Sequence, residues 1–480
     1  MASTNPVRQT ILGLGLVLAR AGLVDRERAE RTVDLAWPRI VTGLARMSKN
    51  AADVAMVGVG VGGAAINGVG FAAPYWGVAF TLGGGFAAGT IALVSQRYGA
   101  SAMDALGQAV RTSALLVAAV SLPIAICFTT FPTTLVGVLT DDPASIRQGA
   151  DYLRVVALGV PFAGLNLVGS RALIGADDAW TPMVLRAGGA TANVALNAAF
   201  IFGLGWGVAG AALATVLSNA GVAVAFGVGL AAGRLPVVGD LPVHVAPRGP
   251  FLDAATVRDV VTIGLPVVGR NMVWTVARFP MLAIAALFGP VVVTAYVISR
   301  RIWGLMNTPG WGFGLAASSL VGQSLGEGDE ASAEAYGHEI VRLSVATYVV
   351  AAGAVAVFAR PVVVGFLGDP TDPAVPVAVA LTYAACLSVV AQGVTSPVAG
   401  ALDATGDTRW PFYSRALGMI GLAVPIAYLG ATTPLGLAGL ALAYLVQTVV
   451  PAAINYYRFA TGRWKAISRE FRPESATADD

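Results

Sequence analysis

The chain has 480 residues, of which 56% are hydrophobic and only 12% charged, with a net charge of +3. Soluble domains carry about 25% charged residues, so this composition indicates an integral membrane protein. Apolar runs recur along the whole length, which excludes a separate soluble domain, and a small Arg surplus in such a chain marks loops on one side of the bilayer rather than a nucleic-acid surface.

Near the N-terminus, Ile11 to Ala19 is an apolar run flanked by Arg8 and Arg20 and followed by the charged segment Asp25 to Arg31. It is too short to span, and the charges after it favour a helix lying at the membrane surface over a cleaved signal peptide. Residues 1–33 are therefore expected to be a cytoplasmic or interfacial segment.

Twelve spans follow, closed by Gly, Pro or charge clusters: 34–58, 66–95, 109–131, 152–175, 182–202, 208–231, 257–288, 291–322, 340–361, 375–402, 411–430 and 435–457. Six lie on each side of a polar, Pro-rich connection at 233–256, which defines an N-lobe of 34–232, a C-lobe of 257–459 and a tail of 460–480. With the N-terminus inside, the inner connections collect Arg97, Arg171, Arg234, Arg248, Arg258, Arg409 and Arg458, whereas the outer ones hold chiefly Arg147 and Arg154 beside Asp141 and Asp142. This asymmetry predicts a multi-pass plasma-membrane protein with both termini cytoplasmic.

The two halves repeat one another. RALIGADDAWTPMVLRA from Arg171 returns 229 positions later as GALDATGDTRWPFYSRA from Gly400, pairing Asp178, Pro182 and Arg186 with Asp407, Pro411 and Arg415. A shift of 227 maps Leu93, Val94, Gln96 and Gly99 onto Leu320, Val321, Gln323 and Gly326. An even number of spans per copy makes the copies parallel, related by a pseudo-two-fold axis along the membrane normal, as in secondary transporters. The expected fold is all-α, with twelve transmembrane helices in two six-helix lobes.

Several signals carry no chemistry. Gly58, Gly60 and Gly63 satisfy G-x-G-x-x-G, but no strand precedes them, so no dinucleotide site is expected. Gly85 and Gly89 form a GxxxG pattern that reads as close helix packing. Cys127 and Cys386 lie in apolar runs as small hydrophobes, and His244 and His338, the only histidines, sit in polar connections, so neither a disulfide, a metal centre nor a cofactor is expected. Trp76 and Trp303 correspond under the 227 shift and read as packing residues.

The first span, DLAWPRIVTGLARMSKNAADVAMVGVGVG, resembles the opening helix of multidrug and toxic compound extrusion (MATE) transporters, in which an early Pro precedes an N-x-x-D-x-x-x-x-G pattern; Pro38, Asn50, Asp53 and Gly58 fit it. NVALNAAFIFGLGWGVAGAALATVLS from Asn193 is similar to the family's fifth and sixth helices, IGLPVVGRN from Ile263 to its seventh, and LVSQRYGA and LVGQSLGE to the paired ends of its second and eighth. The resemblance covers essentially the whole chain. It implies a two-lobed bundle exporting small organic molecules or drugs by alternating access in exchange for H⁺ or Na⁺.

An ionisable group inside a span costs about 2.5–3.5 kcal/mol on insertion scales, so each requires a reason. Among the carboxylates, only Asp53 falls deep within a predicted span. Arg46, Lys49, Asn50 and Asp53 stand at helical offsets 0, 3, 4 and 7 and share one polar stripe. A structural i,i+4 pair of Lys49 with Asp53 contributes only about 0.2–0.5 kcal/mol in isolated helices, which does not offset insertion, so ion coupling at Asp53 is favoured.

The chain also departs from the family pattern. Asn197 stands where many relatives carry a second carboxylate, and Lys49 where they carry a Tyr. Asn50, Asn193 and Asn197 are expected as amide partners of Asp53, and an ammonium at Lys49 occupies the place of a bound cation, which favours H⁺ over Na⁺. In the seventh span Arg270, Trp274 and Arg278 recur every fourth residue on one face. Together with Arg46 they form a candidate substrate wall, which would favour anionic or zwitterionic substrates; snorkelling or carbonyl capping is the competing role. Pro38 recurs as Pro266 at an offset of 228 as a helix-bending pair, but that offset places Met281 opposite Asp53, so the scaffold repeats and the coupling chemistry does not.

The leading reading is thus a monomeric, cation-coupled antiporter in a lipid bilayer. A lipid-linked precursor flippase of the same superfamily is the alternative. A polytopic membrane enzyme is the third, disfavoured by the lack of paired carboxylates at one depth or a nucleophile motif.

Overall fold

The computed structural model describes residues 5–471. Residues 1–4 of the expected N-terminal segment and 472–480 of the expected tail lie outside the described residues. All twelve predicted spans are helical, and nine helices among the described residues are both long and apolar enough to cross a membrane. The other three are the charged first helix, Arg26–Gly60, the 19-residue fifth, Trp180–Ala198, and the eighth, which is broken.

Local chemistry explains most boundaries. The short N-terminal helix Pro6–Arg20 starts where the Asn5 side chain accepts from Val7 N at 2.9 Å, with Pro6 at the first turn. The fourth span starts earlier than its apolar run, at Pro143, because Asp142 caps Ser145 N at 2.9 Å; the apolar pattern registers burial and misses this polar first turn. Asp329 caps the ninth, Glu330–Val357, through Ser332 N at 2.9 Å. Gly233, at φ 68°, ends the sixth, Gly207–Ala232. In the connection that follows, Arg234–Leu235 pairs antiparallel with Gly239–Asp240.

The eighth span, expected as one helix, is two: Pro290–Met306 and Thr308–Glu327. Pro309 brings no N–H to the ladder, and side chains take up groups at the break. Thr308 Oγ1 donates to Leu305 O at 2.7 Å, and Tyr348 Oη accepts from Gly310 N at 2.7 Å while donating to Asn307 O at 3.1 Å. The seventh span is likewise interrupted, at Ala277, between Ala254–Val276 and Arg278–Leu287. The repeat reaches further than the matching letters: short helices Pro132–Gly137 and Ala359–Leu367 follow the third and ninth spans, starting 227 positions apart.

The chain divides into two compact units, which share the spans differently from the sequence boundaries. Residues 41–268 form one; residues up to Ile40 join those from Gly269 onward in the other. Each division falls two residues beyond a proline, Pro38 or Pro266, and both prolines lie inside continuous helices. Apolar runs specify helices but not which bundle each end packs against, so hydropathy alone places each whole span with its own repeat.

Within the unit of residues 41–268, Ala72, Phe128, Leu153, Val156 and Ala212 form a core. A Cβ on Gly89 would stand 2.7 Å from Val260 O, so the GxxxG pattern is a close helix crossing, as its spacing indicated. Within the other unit, Trp303, Tyr348, Leu381 and Tyr444 lie in the main core, and Gly312 leaves room for Ala36 O.

Candidate functional site

In the unit of residues 41–268, three helices bring one polar constellation together. The first span supplies Lys49 and Asp53, one turn apart, with Lys49 Nζ 2.5 Å from Asp53 Oδ2. The fifth supplies Asn197, whose Nδ2 donates to Asp53 Oδ1 at 2.7 Å and to Asn193 Oδ1 at 3.3 Å. The sixth supplies Thr215 and Ser218, whose hydroxyls accept from Asn193 Nδ2 at 3.3 and 3.4 Å. Asn193 and Asn197 are buried, while the Lys49 and Asp53 side chains are 19% and 22% exposed, so the carboxylate sits at the accessible end of a buried chain of hydrogen bonds. Tyr152 lies beside Asp53 and Thr215. Asn197 Oδ1 is buried with no hydrogen-bond partner.

Four of the five residues expected around ion coupling are therefore adjacent. Asn50 is exposed and makes no hydrogen bond to Asp53. Arg46, on the same stripe, places its guanidinium 5.0 Å from the Phe80 ring, which with Trp76, Gly83 and Leu167 lines a small apolar recess. Thr215 and Ser218 could not be picked out from sequence, because Ser and Thr hydroxyls in apolar helices usually satisfy their own backbone carbonyls, as both also do here.

The unit beginning at Gly269 holds the second constellation. Arg270 pairs through both terminal nitrogens with Asp403, at 3.0 and 2.7 Å. This corrects two expectations. The tenth helix runs to Ala404, beyond the expected end at Leu402, so Asp403 is a buried carboxylate in the last turn of a helix and not part of a connection. Arg270 neither snorkels nor caps carbonyls. The partner guanidinium is what permits a carboxylate to remain in the helix. Trp274 packs on Trp303 with ring centroids 5.0 Å apart, and Arg278 lies 5.8 Å from the Trp274 ring. Pro38 and Pro266 stand next to the unit divisions, and Met281, opposite Asp53 in the repeat, is a core residue.

Arg300 and Arg415 also approach Trp274, at 5.2 and 5.4 Å. Examining carboxylates alone passes over them. The same test applied to cations inside 291–322 and 411–430 picks both out.

Comparison with known proteins agrees with this architecture. The MatE family model matches residues 38–199 and 266–429, one stretch in each repeat. The chain is 27% identical over 439 residues to a probable multidrug resistance protein NorM of Bradyrhizobium diazoefficiens, covering 89% of this chain and 92% of that protein. A solved structure of a multidrug resistance MATE family transporter of the MOP superfamily, in an outward-facing conformation, matches with a TM-score of 0.81 at 22% identity, over 92% of this chain and 96% of its own. A MOP superfamily transporter from Pyrococcus furiosus, described as having a binding pocket of reverse polarity, matches with a TM-score of 0.82 at 22% identity, over 91% and 96%. The family model covers more than half of the chain and both copies of its repeat, and the protein therefore belongs to the MatE family, as a membrane transporter rather than an enzyme.

Proposed function

We propose that the protein is a secondary antiporter of the plasma membrane that exports small organic molecules by alternating access, coupled at Asp53 to H⁺ in preference to Na⁺. The monomer is the transporting unit, with both termini in the cytoplasm. The name of its Bradyrhizobium relative, a probable multidrug resistance protein, supports a drug-like substrate range.

The observation that carries ion coupling is the bonding of Asp53. Its two oxygens are taken by Lys49 Nζ and Asn197 Nδ2, while Asn197 Oδ1 has no partner. The ammonium stands where a bound Na⁺ would neutralise the carboxylate, so a proton is the ion that can arrive without displacing a charge. On protonation Asp53 becomes a donor, and rotation of the Asn197 amide presents Oδ1 to accept from it. The pair with Lys49 is thereby released.

The test is transport by reconstituted protein driven separately by a pH gradient and by a Na⁺ gradient. Asp53→Asn is expected to lose at least tenfold in pH-driven transport. Full gradient-driven transport by that variant removes the assignment, and a response to Na⁺ alone reverses the choice of ion.

A further inference from the structure

Trp274 is approached by three guanidiniums from three separate helical segments. Arg278, at the start of Arg278–Leu287, lies 5.8 Å from the ring centre; Arg300, in Pro290–Met306, lies 5.2 Å away; and Arg415, in Arg409–Ala416, lies 5.4 Å away. An indole has two faces, so cation–π attraction does not account for three cations gathered on one ring. Arg278 is exposed, so their mutual repulsion is least screened at the half-buried Arg300 and the buried Arg415.

The usual remedy is a carboxylate. The one at hand, Asp403, is taken on both oxygens by Arg270. The charged and phenolic groups acting on Arg278 are Arg300 and Tyr296, and the charge acting on Arg415 is Arg270. Arg300 is met by the neutral amide oxygen of Gln447 at 3.4 Å and by the rings of Trp303 and Tyr444. Arg415 is only 9% exposed, too buried to reach a lipid headgroup by snorkelling, and its Nη1 has no hydrogen-bond partner.

The geometry points to an anion-recognition site within this unit, in which Arg278, Arg300 and Arg415 take the carboxylate or phosphoryl group of an amphiphilic organic anion. The planar forks of the guanidiniums suit both oxyanions, and the half-buried Trp274 indole suits an acyl or aryl body. The inference deepens the export reading by naming its substrate class, and rests on that reading only for the direction of movement.

Binding to the full-length protein in nanodiscs of zwitterionic lipid tests it, with four probes of similar size: a dansylated carboxylate, an aryl phosphate, a short polyprenyl phosphate and a quaternary ammonium dye. The anions are expected to bind at least tenfold more tightly than the cation. Arg300→Gln and Arg415→Gln should each weaken anion binding at least tenfold, with Arg300→Lys intermediate because it keeps the charge and loses the fork. Should a variant fail to fold, competition on the unaltered protein decides: inorganic phosphate should displace the bound carboxylate and leave the ammonium dye in place.

Tighter binding of the polyprenyl phosphate identifies a lipid headgroup as the ligand, and tighter binding of the soluble probes a free organic anion. Equal or tighter binding of the cation overturns the site, as does anion binding unchanged in a folded Arg300→Gln protein. Anion binding without gradient-driven transport upholds the site while removing the antiporter reading.

Discussion

Lys49 and Asp53 are bound at 2.5 Å one helical turn apart, on the same helix and with their side chains similarly accessible. The orientation, Lys before Asp, is the weaker one for helix stability, so the pair is poorly explained as a brace for its own helix. Replacing Lys49 with Met removes the ammonium and leaves Asp53 bonded to Asn197. We expect this variant to acquire Na⁺-stimulated transport at least several-fold above the unaltered protein, measured in proteoliposomes with an imposed Na⁺ gradient. No gain of Na⁺ response would mean that Lys49 does not stand in for a bound cation.

Asn197→Ala should weaken the same site by a different route. It removes the donor to Asp53 and to Asn193 together and leaves buried polar atoms without partners, at a cost of about 1–3 kcal/mol. A lowered Tm with reduced pH-driven transport is the expected pattern. Unchanged stability would show that water replaces the amide without penalty.

The Arg270 and Asp403 pair is a structural tie whose two members are 14% and 9% exposed. Breaking one side strands the other charge, so Asp403→Ala is expected to destabilise by about 3–5 kcal/mol. The double change Arg270→Met with Asp403→Leu should be milder, since neither charge remains. Thermal unfolding in detergent compares them, and additive losses would contradict the pairing.

Gly89→Leu should disrupt the crossing of the second and seventh helices within their unit, because a Cβ there already meets Val260 O at 2.7 Å. Overpacking of this kind costs about 1–3 kcal/mol. Gly84→Leu, at a position with open space around its Cβ, is the control expected to leave Tm nearly unchanged.

Tyr348→Phe removes one hydroxyl that serves both Gly310 N and Asn307 O at the break in the eighth span. Gly310 N and Asn307 O keep their mutual hydrogen bond at 3.2 Å, so the loss is that of ordinary hydrogen bonds, about 0.5–1.5 kcal/mol. Hydrogen exchange should rise first around residues 307–310 if the hydroxyl is what holds the break.

Lys49 and Asp53 were legible together because a charge in an apolar helix is costly and helical spacing places its neighbour on the same helix, whereas Asn193 and Asn197, on another helix, were reached through the resemblance to the family's fifth helix. Asp403, Arg300 and Arg415 were less so. Asp403 lies one residue beyond an apolar run, where hydropathy reports an end, although the helix continues to Ala404 and Arg270 pairs with the carboxylate there. Arg300 and Arg415 stand out singly as cations inside apolar runs, but they lie 115 positions apart and their convergence on Trp274 is a property of packing.

By itself the sequence determined the membrane setting, the twelve spans, the duplication and the polar stripe of the first helix, because hydropathy, repetition and helical periodicity are local quantities. Tertiary structure alone decided which unit each end of the first and seventh helices joins, how the eighth is broken, and which charges meet. Those outcomes depend on contacts between residues remote in the chain. Pro38 and Pro266 show the limit: their matching positions were visible, but only the packing beyond Ile40 and Val268 reveals that each stands beside a division between units.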